Sequence, residues 1–159
     1  MAPAHADESV HDGEAPEDYV MRVAEAKARA VHAQFPDRVV VAADTTVVVD
    51  HCILGKPADA RDARRMLRLL SGRVHEVMTG VTIVDPGGRA VTKLEVTTVE
   101  FAPLTDDEID WYVSSGEPMD KAGAYAIQGL ASRYVTRING SYSNVVGLPV
   151  SLVYQLLRR

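Results

Sequence analysis

A β-branched run in the first third of the chain constrains the fold more than any other feature. Residues Val39–Asp50 read Val-Val-Val-Ala-Ala-Asp-Thr-Thr-Val-Val-Val-Asp. A run that is apolar on both faces is typical of a strand covered on each side of a sheet. Asp44 interrupts the middle of the run, where an ionised and unpaired carboxylate would be costly to bury. Two interpretations stay open: a structural carboxylate that holds a loop or an arginine, or a catalytic or metal-binding one.

The rest of the chain alternates between helical and extended patterns, which predicts an α/β or α+β sheet covered by helices. Up to residue 101, the chain is predicted to contain a lead-in over 1–15, a helix over Pro16–Gln34, a turn at 50–52, a helix capped by Asp59, and strands over 74–84 and 90–101 joined by a turn at 85–88. The rest of the chain is predicted to contain a helix opened by the Thr105–Glu108 capping box, an irregular site loop over 117–129, a strand over 133–138 and a closing helix over 150–158. In the closing helix, Val153, Leu156 and Leu157 are expected to face inward.

The size of the chain predicts a single domain over residues 1–159, because 159 residues with 47% hydrophobic side chains are enough for one core and too few for two. The net charge of -5 argues against nucleic acid as a partner. We expect no membrane partner, since no stretch approaches the roughly 20 apolar residues of a spanning helix. The single cysteine, Cys52, fits a reducing cytoplasm, and we expect it to be a small core residue.

Several charged residues stand in unusual surroundings. Lys27 lies within the apolar face of the first predicted helix, where its ammonium either snorkels to solvent or meets an anion. Lys56 lies in Gly-Lys-Pro, and Asp120-Lys121 lies in the irregular loop. Together with Asp44, these residues suit a phosphate-ester or phosphoanhydride site: lysines balance phosphate charge, while carboxylates hold a divalent cation and accept a proton from water.

Other signatures of phosphate and hydrolytic chemistry are absent from the sequence. There is no Gly-x-x-x-x-Gly-Lys-Ser/Thr loop, no Gly-x-Gly-x-x-Gly after a strand and no Gly-x-Ser-x-Gly elbow. The five histidines lack the spacing of metal ligands, which argues against a zinc hydrolase.

Longer motifs resemble the Maf family of nucleoside triphosphate pyrophosphatases, also called septum formation proteins. The resemblance rests on Ala-Asp-Thr at 43–45, Leu-Gly-Lys-Pro at 54–57, Leu-Ser-Gly-Arg-Val-His at 70–75, Val-Met-Thr-Gly at 77–80 and the block from 115 to 149. It implies an elongated mixed β-sheet flanked by helices, with a nucleotide-binding cleft. It also implies cleavage of a nucleoside triphosphate into monophosphate and pyrophosphate with a divalent cation, Mg or Mn.

The resemblance also assigns the candidate site residues. Asp44 corresponds to the catalytic proton acceptor and metal ligand; Lys27, Lys56 and Lys121 to phosphate contacts; Glu8 and Asp120 to further polar contacts; and Thr45 and Gln128 to positions that select the substrate in the dTTP/UTP branch. A glutamine carboxamide matches the carbonyl and N–H edge of uracil or thymine. The 7-methyl-GTP branch is the alternative, and Glu-Pro-Met-Asp-Lys-Ala-Gly at 117–123 looks less like it.

One departure from the family pattern concerns the start of the chain. The family opens with a strand and a Ser-x-Ser-Pro-Arg-Arg motif, whereas here Met1–Ala6 runs directly into Asp7 and Glu8. We expect either a translation start upstream of Met1 or a truncated paralogue, which would be an impaired nucleotide-binding or cell-division regulatory protein. A missing first strand and helix would open an edge of the sheet, and an open edge favours a homodimer.

Overall fold

The computed structural model describes residues 6–158 of the chain. Its regular elements, in chain order, are helix α1 (Pro16–Gln34), strands β1 (Val40–Val49) and β2 (Cys52–Leu54), helix α2 (Ala60–Leu70), strands β3 (Val74–Val84) and β4 (Ala90–Phe101), helix α3 (Asp106–Ser114), three 3₁₀ turns (Glu117–Asp120, Ala122–Ala124 and Leu130–Tyr134), strand β5 (Val135–Asn139) and helices α4 (Tyr142–Val146) and α5 (Val150–Leu157).

The described strands form one sheet in the order β2-β1-β3-β4-β5. The α/β class is therefore confirmed. Every described strand pair is antiparallel, so the mixed pairing expected for the sheet is not seen in this range. β1 pairs with β3 along its length, but with β2 only over Val47–Val49. Its other edge is therefore open from Val40 to Thr46 within the described residues, and the expected self-association through this edge stays a prediction.

Helix α1 lies on one face of the sheet, across β1 and β3. Its buried side chains, Tyr19, Val20 and Val23, pack against Val48 and Met78. Gly80 allows this close packing, because a Cβ at that position would overlap the carbonyl group of Val20. The register places Gly80 directly opposite Asp44, so α1 approaches the sheet at the level of that carboxylate.

The opposite face of the sheet carries the larger core, built from α2, α3 and the segment of 3₁₀ turns. Asp59 caps α2, and the predicted capping box of Thr105 and Glu108 opens α3. Helices α4 and α5 cover the rest of this face, where Leu156 packs against Val81 and Ile83. The two faces of β1 therefore meet different parts of the chain.

Two expectations about burial are wrong. Cys52 is exposed rather than a core residue, because β2 is a three-residue edge strand that buries only Leu54. Leu157 is 53% exposed, since α5 turns Leu156 rather than its neighbour toward the sheet. The predicted strand over 133–138 begins at Val135, after a 3₁₀ turn. None of the described helices has the length and apolar composition needed to cross a membrane.

Candidate active site

Two adjoining cavities lie beside β1, and together they are lined by all eight predicted site residues. The first, here the Asp44 cavity, has a volume of about 380 Å³ and is lined by Glu8, Lys27, Asp44, Thr45 and Lys56, among others. The second, here the Gln128 cavity, has a volume of about 210 Å³ and is lined by Thr45, Lys56, Asp120, Lys121 and Gln128, among others. Thr45 and Lys56 line both.

An ion-pair cluster forms the centre of the Asp44 cavity. Lys27, on α1, donates a hydrogen bond from Nζ to Asp44 Oδ1 at 2.7 Å, and the same Nζ lies 2.8 Å from Glu8 Oε1. The Asp44 side chain is only 10% exposed, whereas that of Glu8 is 51% exposed. The ammonium of Lys27 therefore meets two carboxylates of the protein, and its contact with a ligand stays a prediction.

The electrostatics of this cluster depend on burial and on the hydrogen bonds between the charged groups. Burial raises the pKa of Asp44, although the hydrogen bond from Lys27 opposes the change. Burial alone would lower the pKa of the Lys27 ammonium, but its hydrogen bonds to Asp44 and Glu8 outweigh burial and raise it. Lys27 is therefore a fixed positive charge, and Asp44 is a carboxylate that takes up a proton more readily than an exposed one.

The Gln128 cavity lies on the other face of β1. Thr45 Oγ1 is 2.8 Å from Thr79 Oγ1 and 3.3 Å from the carbonyl oxygen of Gly147, which follows α4. Asp120 and Lys121 form an ion pair at the end of a 3₁₀ turn, and the hydrogen bond from Lys121 lowers the pKa of Asp120. Gln128 is exposed at the cavity wall. The cavity therefore combines an apolar floor with a few polar groups at its rim.

A clamp that the sequence did not reveal positions the lead-in before α1. The Arg22 guanidinium donates hydrogen bonds to the Glu14 carboxylate and to the carbonyl oxygens of Asp7 and Ser9. Tyr19 donates from its hydroxyl to the carbonyl oxygen of Glu8 at 3.1 Å. These contacts bring Glu8 to Lys27. Helical periodicity gives no signal for this role of Arg22.

Asn144 is a second residue that the sequence analysis missed. It is fully buried and donates from Nδ2 to the carbonyl oxygen of Val77 and to Thr97 Oγ1, both at 3.0 Å. These bonds fix α4 to β3 and β4, and so fix the wall of the Gln128 cavity around Val145 and Gly147. A buried asparagine with two sheet partners cannot be recognised from a sequence, because its partners lie 47 and 67 residues away.

The donor set of the Asp44 cavity suits a hard divalent cation. Among the described residues, no group of three or more His, Cys, Asp or Glu side chains converges as a complete metal site. Mg²⁺ is usually held by one or two carboxylates together with substrate phosphates and water, rather than by an all-protein cage. The carboxylates of Asp44 and Glu8, which meet at one ammonium, fit that mode.

The fold and these cavities together define an α/β protein with a cleft at a sheet edge, in which lysines and carboxylates suit a phosphorylated ligand. A family model described as Maf-like protein matches residues 1–159. The chain belongs to the Maf family.

Several relatives carry the same printed name, dTTP/UTP pyrophosphatase. That of Koribacter versatilis (strain Ellin345) is 53% identical over 159 residues, which cover 100% of this chain and 82% of the relative. That of Anaeromyxobacter dehalogenans (strain 2CP-C) is 56% identical over 162 aligned residues, with 100% and 81% covered. That of Symbiobacterium thermophilum is 49% identical over 157 aligned residues, with 99% and 80% covered.

Proposed function

We propose that this protein hydrolyses dTTP and UTP to the nucleoside monophosphate and pyrophosphate, with a divalent cation, Mg or Mn, as cofactor. The observation that carries the proposal is the junction of the two cavities at β1. One cavity holds a paired carboxylate and lysines, and the other holds Gln128 on an apolar floor. The triphosphate then lies in the Asp44 cavity and the base in the Gln128 cavity. The names of the relatives support this assignment.

In the proposed reaction, water attacks the α-phosphorus and the bond from that phosphorus to the oxygen bridging to the β-phosphorus breaks. Asp44 accepts the proton of the attacking water, for which burial has already raised its pKa. Lys27 is released from the carboxylates to meet the phosphates, and Lys56, which lines both cavities, balances the charge of the departing pyrophosphate. Lys121 contacts the phosphates from the side of the Gln128 cavity, at the junction of the two cavities. Gln128 and Thr45 contact the base side of the nucleotide.

The charges of the site support the need for a cation. Three lysines and three carboxylates line the two cavities, so they add no net charge to balance a triphosphate. When bound, a divalent cation at Asp44, with Glu8 beside it, would supply the missing positive charge and stabilise the charge that develops on the phosphates. The exposed, unpaired Cys52 supports a reducing compartment, and we place the reaction in the cytoplasm.

Pyrophosphate release, measured over a panel of nucleotides with Mg or Mn, tests the proposal. We expect turnover of dTTP and UTP and a loss of at least about a hundredfold in kcat for Asp44→Asn. Asp107→Asn, an exposed carboxylate on α3, is the matched control and should leave kcat unchanged. If Asp44→Asn is as active as the unaltered protein, the assignment of Asp44 fails.

The same panel separates the alternatives. Preferential turnover of 7-methyl-GTP would assign the protein to the other branch. Thermal stabilisation by nucleotides without turnover would indicate a nucleotide-binding or cell-division regulatory protein.

A further inference from the structure

The position of Gln128 is set by the backbone that carries it. Its side chain is exposed at the wall of the cavity. It lies in a turn in which Gly129 donates from its backbone N–H to the carbonyl oxygen of Ala126 at 3.1 Å. A single turn of this kind is weakly fixed by itself. Contacts on both sides of Gln128 must therefore hold the carboxamide at the cavity.

Two side chains provide these contacts. Tyr112, on α3, is fully buried, and its hydroxyl donates to Glu117 Oε1 at 2.7 Å. The same hydroxyl accepts a hydrogen bond from the backbone N–H of Ala126 at 3.3 Å, two residues before Gln128. Glu117 Oε2 accepts from the backbone N–H of Leu130 at 3.0 Å, two residues after it. The Tyr112–Glu117 pair thus binds the turn on both flanks of Gln128.

The residue at position 129 gives independent support. The backbone of Gly129 has φ −103° and ψ −150°, an extended conformation that other residues also adopt, so its dihedral angles do not require glycine. A Cβ at this position would, however, overlap the carboxylate of Glu117. The Glu117 carboxylate therefore occupies the place that a side chain at position 129 would take, and such a side chain would displace it.

We propose that Tyr112 and Glu117 are positioning residues for nucleobase recognition: they hold the turn that presents Gln128 to the base without touching the nucleotide themselves. This inference rests on the proposed function, which places the base in the Gln128 cavity. Tyr112 and Glu117 do not line either cavity, and Lys27 and Lys56 are on other segments. Lys121 shares the loop, but it bonds to Asp120 and Pro118 rather than to this pair. Loss of the pair should therefore weaken the binding of the base and leave the binding of the phosphates unchanged.

Calorimetry measures the affinities for UTP, used as its α,β-methylene analogue so that the bond at the α-phosphorus cannot be hydrolysed, and for inorganic tripolyphosphate, a ligand without a base. We expect Tyr112→Phe and Glu117→Gln each to weaken UTP binding about tenfold, the effect of about one hydrogen bond, with tripolyphosphate unchanged. Tyr134→Phe is the matched control, because the ring of Tyr134 packs against that of Tyr112, but its hydroxyl donates to the carbonyl oxygen of Glu108. It should leave both affinities unchanged.

Gly129→Ala provides a second route to the same result, since its methyl group would displace Glu117. We expect it to weaken UTP binding in the unaltered chain but to have no further effect in a Glu117→Ala background. Three results would each overturn the inference. The variants could weaken the binding of UTP and of tripolyphosphate equally, or both Tyr112→Phe and Glu117→Gln could leave the affinity for UTP unchanged. The unaltered protein could also bind UTP and tripolyphosphate with the same affinity. Absence of UTP hydrolysis with magnesium would count against the proposed function alone, because the binding experiment does not require turnover.

Discussion

His75 should make the protein less stable as the pH falls, and the substitution His75→Phe should remove this effect. Its side chain is only 2% exposed on β3, its Nε2 lies 2.8 Å from the Tyr125 hydroxyl, and its Nδ1 has no hydrogen-bond partner among the described residues. Burial lowers the pKa of His75 from 6.5 to about 4. The folded protein therefore keeps the imidazole neutral at pH values where the unfolded chain takes up a proton.

The sign and size of the effect follow from this difference. Between pH 6.5 and pH 4 the unfolded chain binds the proton more strongly, so the contribution is complete above pH 6.5 and is lost as the pH falls to about 4. A shift of about 2.5 units corresponds to about 3 kcal/mol of the free energy of unfolding. Protonation of carboxylates adds its own pH dependence, so the effect must be read against a variant.

Urea unfolding followed by circular dichroism at pH 7 and at pH 4 measures this contribution. Between these pH values the unaltered protein should lose about 3 kcal/mol more than His75→Phe, which fills the same space beside Phe101 without titrating. Tyr125→Phe is the control: it removes the hydroxyl partner but keeps the buried imidazole, and should retain the pH dependence. If the unaltered protein and His75→Phe lose the same free energy of unfolding between pH 7 and pH 4, the reasoning is refuted.

Three further substitutions test other contacts. Lys27→Met should cost about 1–3 kcal/mol of the free energy of unfolding in urea at pH 7, because it leaves Asp44 buried without its partner. The control Lys93→Met, at an exposed position, should change it by less than about 0.5 kcal/mol, and equal effects of the two variants would contradict the role of the pair. Gly80→Ala should cost about 1–3 kcal/mol of the free energy of unfolding and lower kcat, because its methyl group overlaps the backbone of α1 and moves the helix off the sheet. Unchanged stability would show that the helix can move away without cost. Arg22→Gln should speed proteolysis of residues 6–14 and raise KM for the triphosphate, because the lead-in loses the hydrogen bonds from Arg22. Mass spectrometry measures the cleavage rate, and an unchanged rate would argue against the clamp.

The sequence predicted local structure well where the signal was local. The capping box at Thr105, the cap at Asp59 and the strand around Asp44 depend on neighbouring residues, and all three are present. Burial at the margins was harder to predict, because Cys52 and Leu157 belong to short elements whose exposure depends on which distant segments cover them.

The candidate site was predicted in composition but not in arrangement. The unusual positions of Lys27 and Asp44 indicated a charged site, and the structure brings them to 2.7 Å. The residues that hold the site in place could not be predicted, because they act through backbone groups far along the chain: Tyr112 and Glu117 contact the turn around Gln128, and Asn144 contacts β3 and β4. A side chain that satisfies a distant N–H or carbonyl leaves no periodic pattern in the sequence.

The alternation of side chains along β1 explains why one short segment can serve both halves of a nucleotide. Successive residues of a strand point to opposite faces, so Asp44 meets Lys27 of α1 while its neighbour Thr45 faces Gly147, which follows α4. Thr45 and Lys56 line both cavities, so the two cavities adjoin beside this part of β1. A ligand that binds both must pass these two residues, and under the proposed function the group that lies there is the link between the base and the phosphates, which brings the α-phosphorus close to Asp44.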